Sequence, residues 1–141
     1  MRESNFRGKA IMTPTELDYL GIRHNKGWVY GNLIANSGKP YIVGDIEEAT
    51  DEYLNHEFWV AVEPESVGQF IGLKDRNGRG IYEKDIVKFS GSRHRVAWSD
   101  RYCGYRLFGS HASYGMNNYH KLDYVVVGDH FENPELLEVA E

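Results

Sequence analysis

The sequence predicts a mainly β fold, α+β at most, with short helical turns. Tyr, Phe and Trp number 10, 6 and 3, and there are 15 Gly; this composition favours strands and tight turns. Short segments of alternating or β-branched residues recur between glycine-containing turns, a spacing typical of a small barrel or sandwich. We predict an N-terminal β-rich subdomain, residues 1–63, and a second subdomain, residues 64–141, or one continuous domain.

The first subdomain is predicted to begin with a helical turn and to continue in strands. Thr13 suits the N-cap of this turn, with Pro14 at the first helical position. The segment KGWVYGNLIA predicts a strand and YIVGDI its partner. EATDEYLNH predicts a short helix. EFWVAVE predicts a third strand that is central in its sheet, because both of its faces are apolar.

The second subdomain is predicted to consist of closely spaced short strands. Asn77 and Gly78 give the strongest hairpin-turn signal, because both residue types tolerate a positive φ. DIVKF, RHRVAW, YRLFG and DYVVVGD follow as strands. The Asn-Pro pair in ENPELL predicts a short helix or turn near the C-terminus. We expect Phe89, Trp98 and Phe108 to lie in the core.

Cysteine content and hydropathy restrict the class of protein. Cys103 is the only cysteine, so neither an internal disulfide nor a cysteine-based zinc site can form. The sequence has no apolar run of membrane-spanning length, and its N-terminus lacks the apolar segment of a signal peptide. We therefore expect a soluble, cytoplasmic protein that does not bind membranes.

The sequence contains no complete motif for binding calcium, zinc or a nucleotide phosphate, because required positions are occupied by other residue types. If Gly78 is the sixth residue of a calcium loop, Leu73 and Lys84 occupy positions one and twelve, which require oxygen ligands. In NSGKP, Pro40 stands where a phosphate loop needs Ser or Thr. The 6 His lack the spacing of a zinc motif. We expect no cofactor, no metal and no catalytic residue.

Two enzymatic interpretations stay open as alternatives to a non-enzymatic protein. Cys103 is a candidate nucleophile with a histidine as its base, although a lone thiol between strands usually serves packing. Glu83, Asp85 and Asp100 are candidates for an acid–base pair, although ion pairing near a turn rich in Lys and Arg is the simpler explanation. Both interpretations would make the protein a hydrolase.

The distribution of charge is uneven, although the net charge is −5. Between Ile71 and Gly109 there are nine Lys and Arg against four Asp and Glu, and the remainder has seven against seventeen. Aromatic residues interleaved with basic ones are typical of surfaces that bind single-stranded nucleic acid. Aromatic-lined grooves also bind peptides. A surface that contacts only solvent is the simpler explanation of this charge distribution. The candidate nucleic-acid or partner face consists of Lys74, Arg76, Arg79, Tyr82, Arg93, Arg95, Arg101, Tyr102, Tyr105 and Arg106.

Several motifs occur in a fixed order: GLKDRNGRGIYEKDIVKF at Gly72–Phe89, VAW at Val96–Trp98 and ENPELL at Glu132–Leu137. In this order they resemble the YopX family, small proteins encoded by bacteriophages and prophages. The resemblance implies an SH3-like small β-barrel in the C-terminal half, and it implies no established activity or site residues. Lys84 stands where the family commonly has Gly, so a positive φ at this position would be strained.

These observations predict a phage-associated accessory protein that acts in the bacterial cytoplasm by binding rather than by catalysis. A protein partner or self-association into a homo-oligomer is the first interpretation, because the chain is a compact, aromatic-rich β protein without chemical motifs. The first alternative is a nucleic-acid-binding barrel that uses the basic face between residues 71 and 109. The second alternative is the hydrolase. Because small barrels support many unrelated functions, the fold class does not choose among them.

Overall fold

The computed structural model describes residues 5–110 and 112–137, and this part of the chain is mainly β, as the sequence predicts. It forms two compact units, divided between Gln69 and Phe70. The subdomain division at residues 63 and 64 stays a prediction, because a boundary in contacts does not test which segment folds independently. Within the described residues, no helix has the length and apolar character required to cross a bilayer.

The first unit contains a sheet in the order β6-β3-β2-β1, in which neighbouring strands are antiparallel. A separate two-stranded sheet pairs β4 with β5. The elements are β1 (Phe6–Lys9), α1 (Pro14–Tyr19), β2 (Trp28–Asn36), β3 (Lys39–Val43), β4 (Ile46–Ala49), β5 (Leu54–His56), β6 (Trp59–Ala61) and a 3₁₀ turn (Pro64–Ser66).

Helix α1 begins where the sequence predicts it. Thr13 Oγ1 accepts a hydrogen bond from the Glu16 N–H at 3.2 Å. Glu16 Oε1 accepts one from the Thr13 N–H at 3.0 Å. This reciprocal capping box satisfies two of the amide groups that a helix start leaves unpaired. Leu17 is fully buried and attaches the helix to the core of the first unit.

One prediction for the first unit is wrong. EATDEYLNH forms the hairpin of β4 and β5 rather than a helix, because Thr50 Oγ1 accepts from the N–H groups of Glu52 and Tyr53, both at 3.1 Å, and closes a turn. The segment EFWVAVE is paired on both sides, as predicted for a central strand. Strand β6 pairs with β3. On the other side, the Ala61 carbonyl accepts from the Ile11 N–H at 3.0 Å and the Glu63 N–H donates to the Lys9 carbonyl at 2.8 Å. Within β6, Val60 is buried, whereas the Trp59 side chain is 69% exposed.

The second unit contains an open, five-stranded antiparallel sheet in the order β12-β11-β10-β9-β13, and β7 pairs with β8. The SH3-like barrel expected for this half is therefore not confirmed, whereas the predicted strands are. The elements are β7 (Gly68–Lys74), β8 (Gly80–Tyr82), β9 (Asp85–Phe89), β10 (Ser92–Ser99), β11 (Gly104–Phe108), β12 (Ser113–Gly115), a 3₁₀ segment (Asn118–Asp123), β13 (Val125–Asp129) and the C-terminal 3₁₀ turn (Pro134–Leu137).

The core of this unit lies on one face of the five-stranded sheet. Phe89 packs against it, as expected. Trp98 is 49% exposed, so its predicted place in the core is wrong; it follows the buried Val96 near the end of β10, where the core no longer covers this face. Phe108 is half-buried on the opposite face from Leu107. The buried cluster consists of Ile81, Val87, Val96, Leu107, Tyr124 and Val126.

Asp75 organises the turn between β7 and β8. Its Oδ1 atom accepts from the N–H groups of Asn77 at 2.9 Å and Arg79 at 3.0 Å, and its Oδ2 atom accepts from the Val126 N–H at 3.0 Å. The predicted turn is present, but only Gly78 adopts a positive φ, +80°. Asn77 keeps an ordinary φ because the loop is longer than a two-residue turn. The Gly78 N–H donates to the Asp75 carbonyl at 3.0 Å, and the Asp75 N–H donates to the Arg79 carbonyl at 2.8 Å.

Lys84 has a φ of +74°, so the strain anticipated at this position is present. Hydrogen bonds hold the backbone in this conformation. The Lys84 N–H donates to the Val96 carbonyl at 2.9 Å, and the Lys84 carbonyl accepts from the His130 N–H at 2.7 Å. Lys84 therefore occupies a position whose geometry suits glycine.

Candidate nucleic-acid interface

The structure places the predicted site residues in three groups on the second unit. The first group lies at the turn between β7 and β8 and consists of Lys74, Arg76 and Arg79. The second group lies on β10 and consists of Arg93 and Arg95. The third lies on the hairpin of β10 and β11 and consists of Arg101, Tyr102, Tyr105 and Arg106. The cations of the first two groups are exposed.

Tyr82 does not belong to an exposed face. Its side chain is 6% exposed, and its ring centroid lies 5.5 Å from that of Phe70. The residue lies at the end of β8, where the chain turns towards the buried start of β9. The role proposed for Tyr82 in binding is therefore wrong, because a buried ring cannot stack on a ligand.

Strand pairing brings cations together on one face of the five-stranded sheet. Lys88 lies directly opposite Arg93, Phe108 opposite Arg95, and Arg106 opposite Ala97. The alternating residues on β10, including the buried Val96, point to the core. Like charges directly opposite one another destabilise a sheet. We define the basic face as Lys88, Arg93, Arg95, Arg106 and Phe108.

Little negative charge is available to neutralise this face. Within the described residues, Lys88, Arg93 and Arg95 have no carboxylate at ion-pair distance. Two of the four carboxylates between residues 71 and 109, Asp75 and Asp85, are 4% and 0% exposed. The charge count of the sequence therefore understates the positive charge that this segment exposes to solvent.

An aromatic ring lies at the end of the basic face. The guanidinium carbon of Arg106 is 4.1 Å from the ring centroid of Tyr102, and that of Arg101 is 5.5 Å away. Arg106 Nε also donates to Ser113 Oγ at 2.9 Å, which fixes the guanidinium. Tyr102 is 58% exposed. These contacts are cation–π interactions on a surface that solvent reaches.

Trp98 and Tyr105 form a second aromatic pair on the opposite face of the hairpin. Their ring centroids are 5.2 Å apart, with an interplanar angle of 81°, and Trp98 Nε1 donates to Asp100 Oδ1 at 3.0 Å. Burial, and secondarily the charge of Glu83, raises the pKa of Tyr105. The phenol is neutral near pH 7, so this pair contributes an uncharged aromatic surface.

The enzymatic alternatives gain no support from the geometry. Cys103 is exposed, has a φ of +52°, and its Sγ lies 3.6 Å from the Asp100 carbonyl. In the described part of the chain, no histidine contacts this thiol. Asp85 is buried and accepts from the Tyr82 N–H at 2.8 Å. Across residues 5–110 and 112–137, no three His, Cys, Asp or Glu side chains converge as metal ligands would.

A groove of about 690 Å³ lies in the second unit, where Lys88 and Arg93 reach the β9–β10 turn. His94 lines it and is 2% exposed, and its Nδ1 atom is buried without a hydrogen-bond partner. Burial lowers the pKa of His94, although the backbone of Val87 and Ser92 opposes this shift. We call this the His94 groove; its lining residues are Lys88, Gly91, Ser92, Arg93, His94, Gly109, Ser110, Ala112, Tyr114, Val127 and Leu136.

Two residues of these surfaces were not predicted from the sequence. Lys88 was not included in the candidate face, although the hairpin turn at Gly91 sets the register that places it opposite Arg93. His94 lies within RHRVAW, a pattern that predicts a strand and indicates no groove. Its place in a groove depends on Gly109 and Tyr114 from later strands, and no local pattern indicates those contacts.

Comparison with known proteins identifies the family. No curated protein sequence is significantly similar to this one. The crystal structure of protein EF1440 from Enterococcus faecalis has a similar fold, with a TM-score of 0.56 and 21% sequence identity, over 94% of this chain and 96% of that chain. Residues 23–138 match the family described as YopX protein. The order of motifs and this match over most of the chain agree, and the chain belongs to the YopX family.

Proposed function

We propose that the protein is a non-enzymatic binding protein whose basic face binds single-stranded nucleic acid. The observation that carries this proposal is the absence of ion-pair partners for Lys88, Arg93 and Arg95 within the described residues. Two of these cations lie directly opposite each other. Such repulsion weakens the sheet, and the phosphates of a bound strand would relieve it.

The spacing along β10 also supports a strand-like ligand. Arg93 and Arg95 are two residues apart on one face, which separates their backbone positions by about 7 Å. Phe108 lies opposite Arg95, and Tyr102 stacks on Arg106 at the end of the same face. Unpaired bases stack on aromatic and guanidinium groups, whereas the bases of a duplex are not accessible for stacking.

Fluorescence anisotropy with labelled single- and double-stranded oligonucleotides tests this proposal. We expect single strands to bind more tightly at low salt. Neutralising phosphates with four cations gives a slope of about −3 for the logarithm of the binding constant against the logarithm of salt concentration. The double variant Arg93→Ala/Arg95→Ala should lose most of this affinity, and Lys121→Ala, which removes an exposed cation elsewhere in the unit, should not. Unchanged binding by the double variant would refute the proposal, as would no binding at low salt.

Self-association is a second candidate, and it rests on the first unit. Trp59 on β6 is 69% exposed, and its ring centroid lies 5.6 Å from that of Tyr41. Ile34, opposite Tyr41 on β2, is 48% exposed and extends this apolar surface. An exposed apolar surface can pack against the same surface of a second copy, which would remove both surfaces from water.

Sedimentation velocity over a range of protein concentrations tests this candidate. We expect a concentration-dependent dimer that Trp59→Ser weakens. Tyr19→Ser is the matched control, because Tyr19 is 89% exposed in the same unit but lies on α1. A protein that stays monomeric at all concentrations, or a dimer that Trp59→Ser leaves intact, would exclude association through this apolar surface.

A further inference from the structure

We propose that Arg106, stacked on Tyr102, selects guanine in a bound single strand. This inference rests on the proposed function, because it names the base that one part of the basic face recognises. The guanidinium carbon of Arg106 lies 4.1 Å from the ring centroid of Tyr102, and two of its nitrogen atoms donate to Ser113. The side chain is therefore held in one orientation before any ligand binds, which lowers the entropic cost of recognition.

The hydrogen bonds to Ser113 occupy one edge of the Arg106 guanidinium. Nε donates to Ser113 Oγ at 2.9 Å, and Nη2 donates to the Ser113 carbonyl at 3.2 Å. A guanidinium is planar and carries five N–H groups in a rigid fork. Its second edge combines one N–H of Nη1 with the other N–H of Nη2. Within residues 5–110 and 112–137, this edge has no hydrogen-bond acceptor.

Close packing against β12 further restricts the guanidinium. Gly115 lies directly opposite Arg106 in the pairing of β11 with β12, and β12 is the last strand of its sheet. A Cβ atom at position 115 would lie 3.3 Å from Arg106 Nη1. The Nη1 atom therefore packs over a stretch of backbone that carries no side chain.

The free edge of Arg106 presents two neighbouring donors, and guanine has two neighbouring acceptors, O6 and N7. Adenine offers one acceptor and one donor on the corresponding edge. Cytosine has adjacent acceptors, O2 and N3, but its single ring covers less of an aromatic platform than a purine does. Tyr102 is 58% exposed and provides such a platform beside the guanidinium. In a single strand these base edges are accessible.

A phosphate group also has two acceptors that fit a guanidinium. Arg93 and Arg95 are better placed for phosphates, because both are exposed whereas Arg106 is half-buried. The two roles differ in their consequences. A contact between Arg106 and a phosphate would strengthen the binding of every strand equally, whereas a contact with guanine depends on the base.

Fluorescence anisotropy with short thymidine oligonucleotides that carry one test base measures this dependence. We expect guanine to strengthen binding about tenfold relative to adenine at the same position. Hypoxanthine retains O6 and N7 and should bind like guanine, whereas 7-deazaguanine lacks N7 and should bind like adenine. Strands that bind with equal affinity for all bases, or cytosine that binds as tightly as guanine, would overturn this inference alone. If no strand binds at low salt, the proposed function fails with it.

Charge-conserving variants assign the preference to Arg106. Arg106→Lys should abolish the guanine preference and change the affinity for an all-thymidine strand by less than about threefold, because the charge remains. Arg101→Lys is the matched control, since the Arg101 guanidinium carbon is 5.5 Å from the same Tyr102 ring and the described residues give it no hydrogen bond; the preference should persist.

Ser113→Ala tests Ser113 as a positioning residue. Loss of the acceptor for Nε should reduce the guanine preference about threefold or more and leave the salt dependence unchanged, which a general loss of structure would not do. Urea denaturation of each variant verifies its fold. An undiminished guanine preference in Arg106→Lys would refute the assignment.

Discussion

Replacing Asp75 with alanine tests whether one buried carboxylate holds the turn between β7 and β8 to β13. Asp75 is 4% exposed and accepts three backbone hydrogen bonds. The Val126 N–H is buried, so losing its acceptor costs about 2 kcal/mol. The N–H groups of Asn77 and Arg79 are only partly buried and can rebind water, so each lost bond costs about 1 kcal/mol. We therefore expect Asp75→Ala to lower the free energy of unfolding by about 4 kcal/mol.

Urea denaturation measures this loss. With a slope of about 2 kcal/mol per molar, the midpoint should fall by about 2 M. Trp98 reports on the second unit by fluorescence. Asp123→Ala is the matched control, because Asp123 is exposed in the same unit and its ion pair within residues 5–110 and 112–137 is with His120, at 3.2 Å. This variant should change stability by less than about 0.5 kcal/mol. A loss below about 1 kcal/mol for Asp75→Ala would refute this account of the turn.

Three further substitutions test local features. Lys84→Gly relieves a φ of +74° and should stabilise the protein by about 1 kcal/mol in the same denaturation assay; a loss of stability would show that the Lys84 side chain matters more than its backbone. Thr13→Ala removes one of the hydrogen bonds that lower the pKa of Glu16, so this pKa should rise towards its ordinary value in an NMR titration, and an unchanged pKa would contradict the capping box. Burial lowers the pKa of His94 in the folded state, so the unfolded state binds the proton first as the pH falls below about 6.5. Stability should therefore be constant above that pH and decrease below it, and His94→Gln should reduce this decrease; an equal pH dependence in the variant would assign it to other groups.

Local patterns predicted most of the strands and the start of helix α1. Thr13 and Pro14 predicted the start of α1, because a capping box involves only neighbouring residues. Alternation in RHRVAW predicted a strand, and β10 does bury Val96 and expose Arg93. The helix predicted from EATDEYLNH failed because the Thr50 side chain closes a turn, and helical periodicity over so short a segment is weak.

The candidate interface was predicted in part. The concentration of Lys and Arg between residues 71 and 109 assigns the candidate face to the second unit, because net charge is a property of composition. Tyr82 is buried although the sequence assigned it to the binding face, and Trp98 is exposed although the sequence assigned it to the core. Both outcomes depend on where the core of the unit ends. Cross-strand pairing, rather than sequence spacing, places Lys88 opposite Arg93.

The sequence by itself determined the family, the mainly β class, the turn at Gly78 and the charge of the second unit. These properties follow from composition, short-range hydrogen bonding and the order of motifs. The tertiary structure decided which charges face solvent, because Asp75 and Asp85 are withdrawn into the interior to satisfy backbone N–H groups. It also decided the existence of the His94 groove. Both depend on contacts between residues far apart in the chain, which strand register sets and local patterns do not encode.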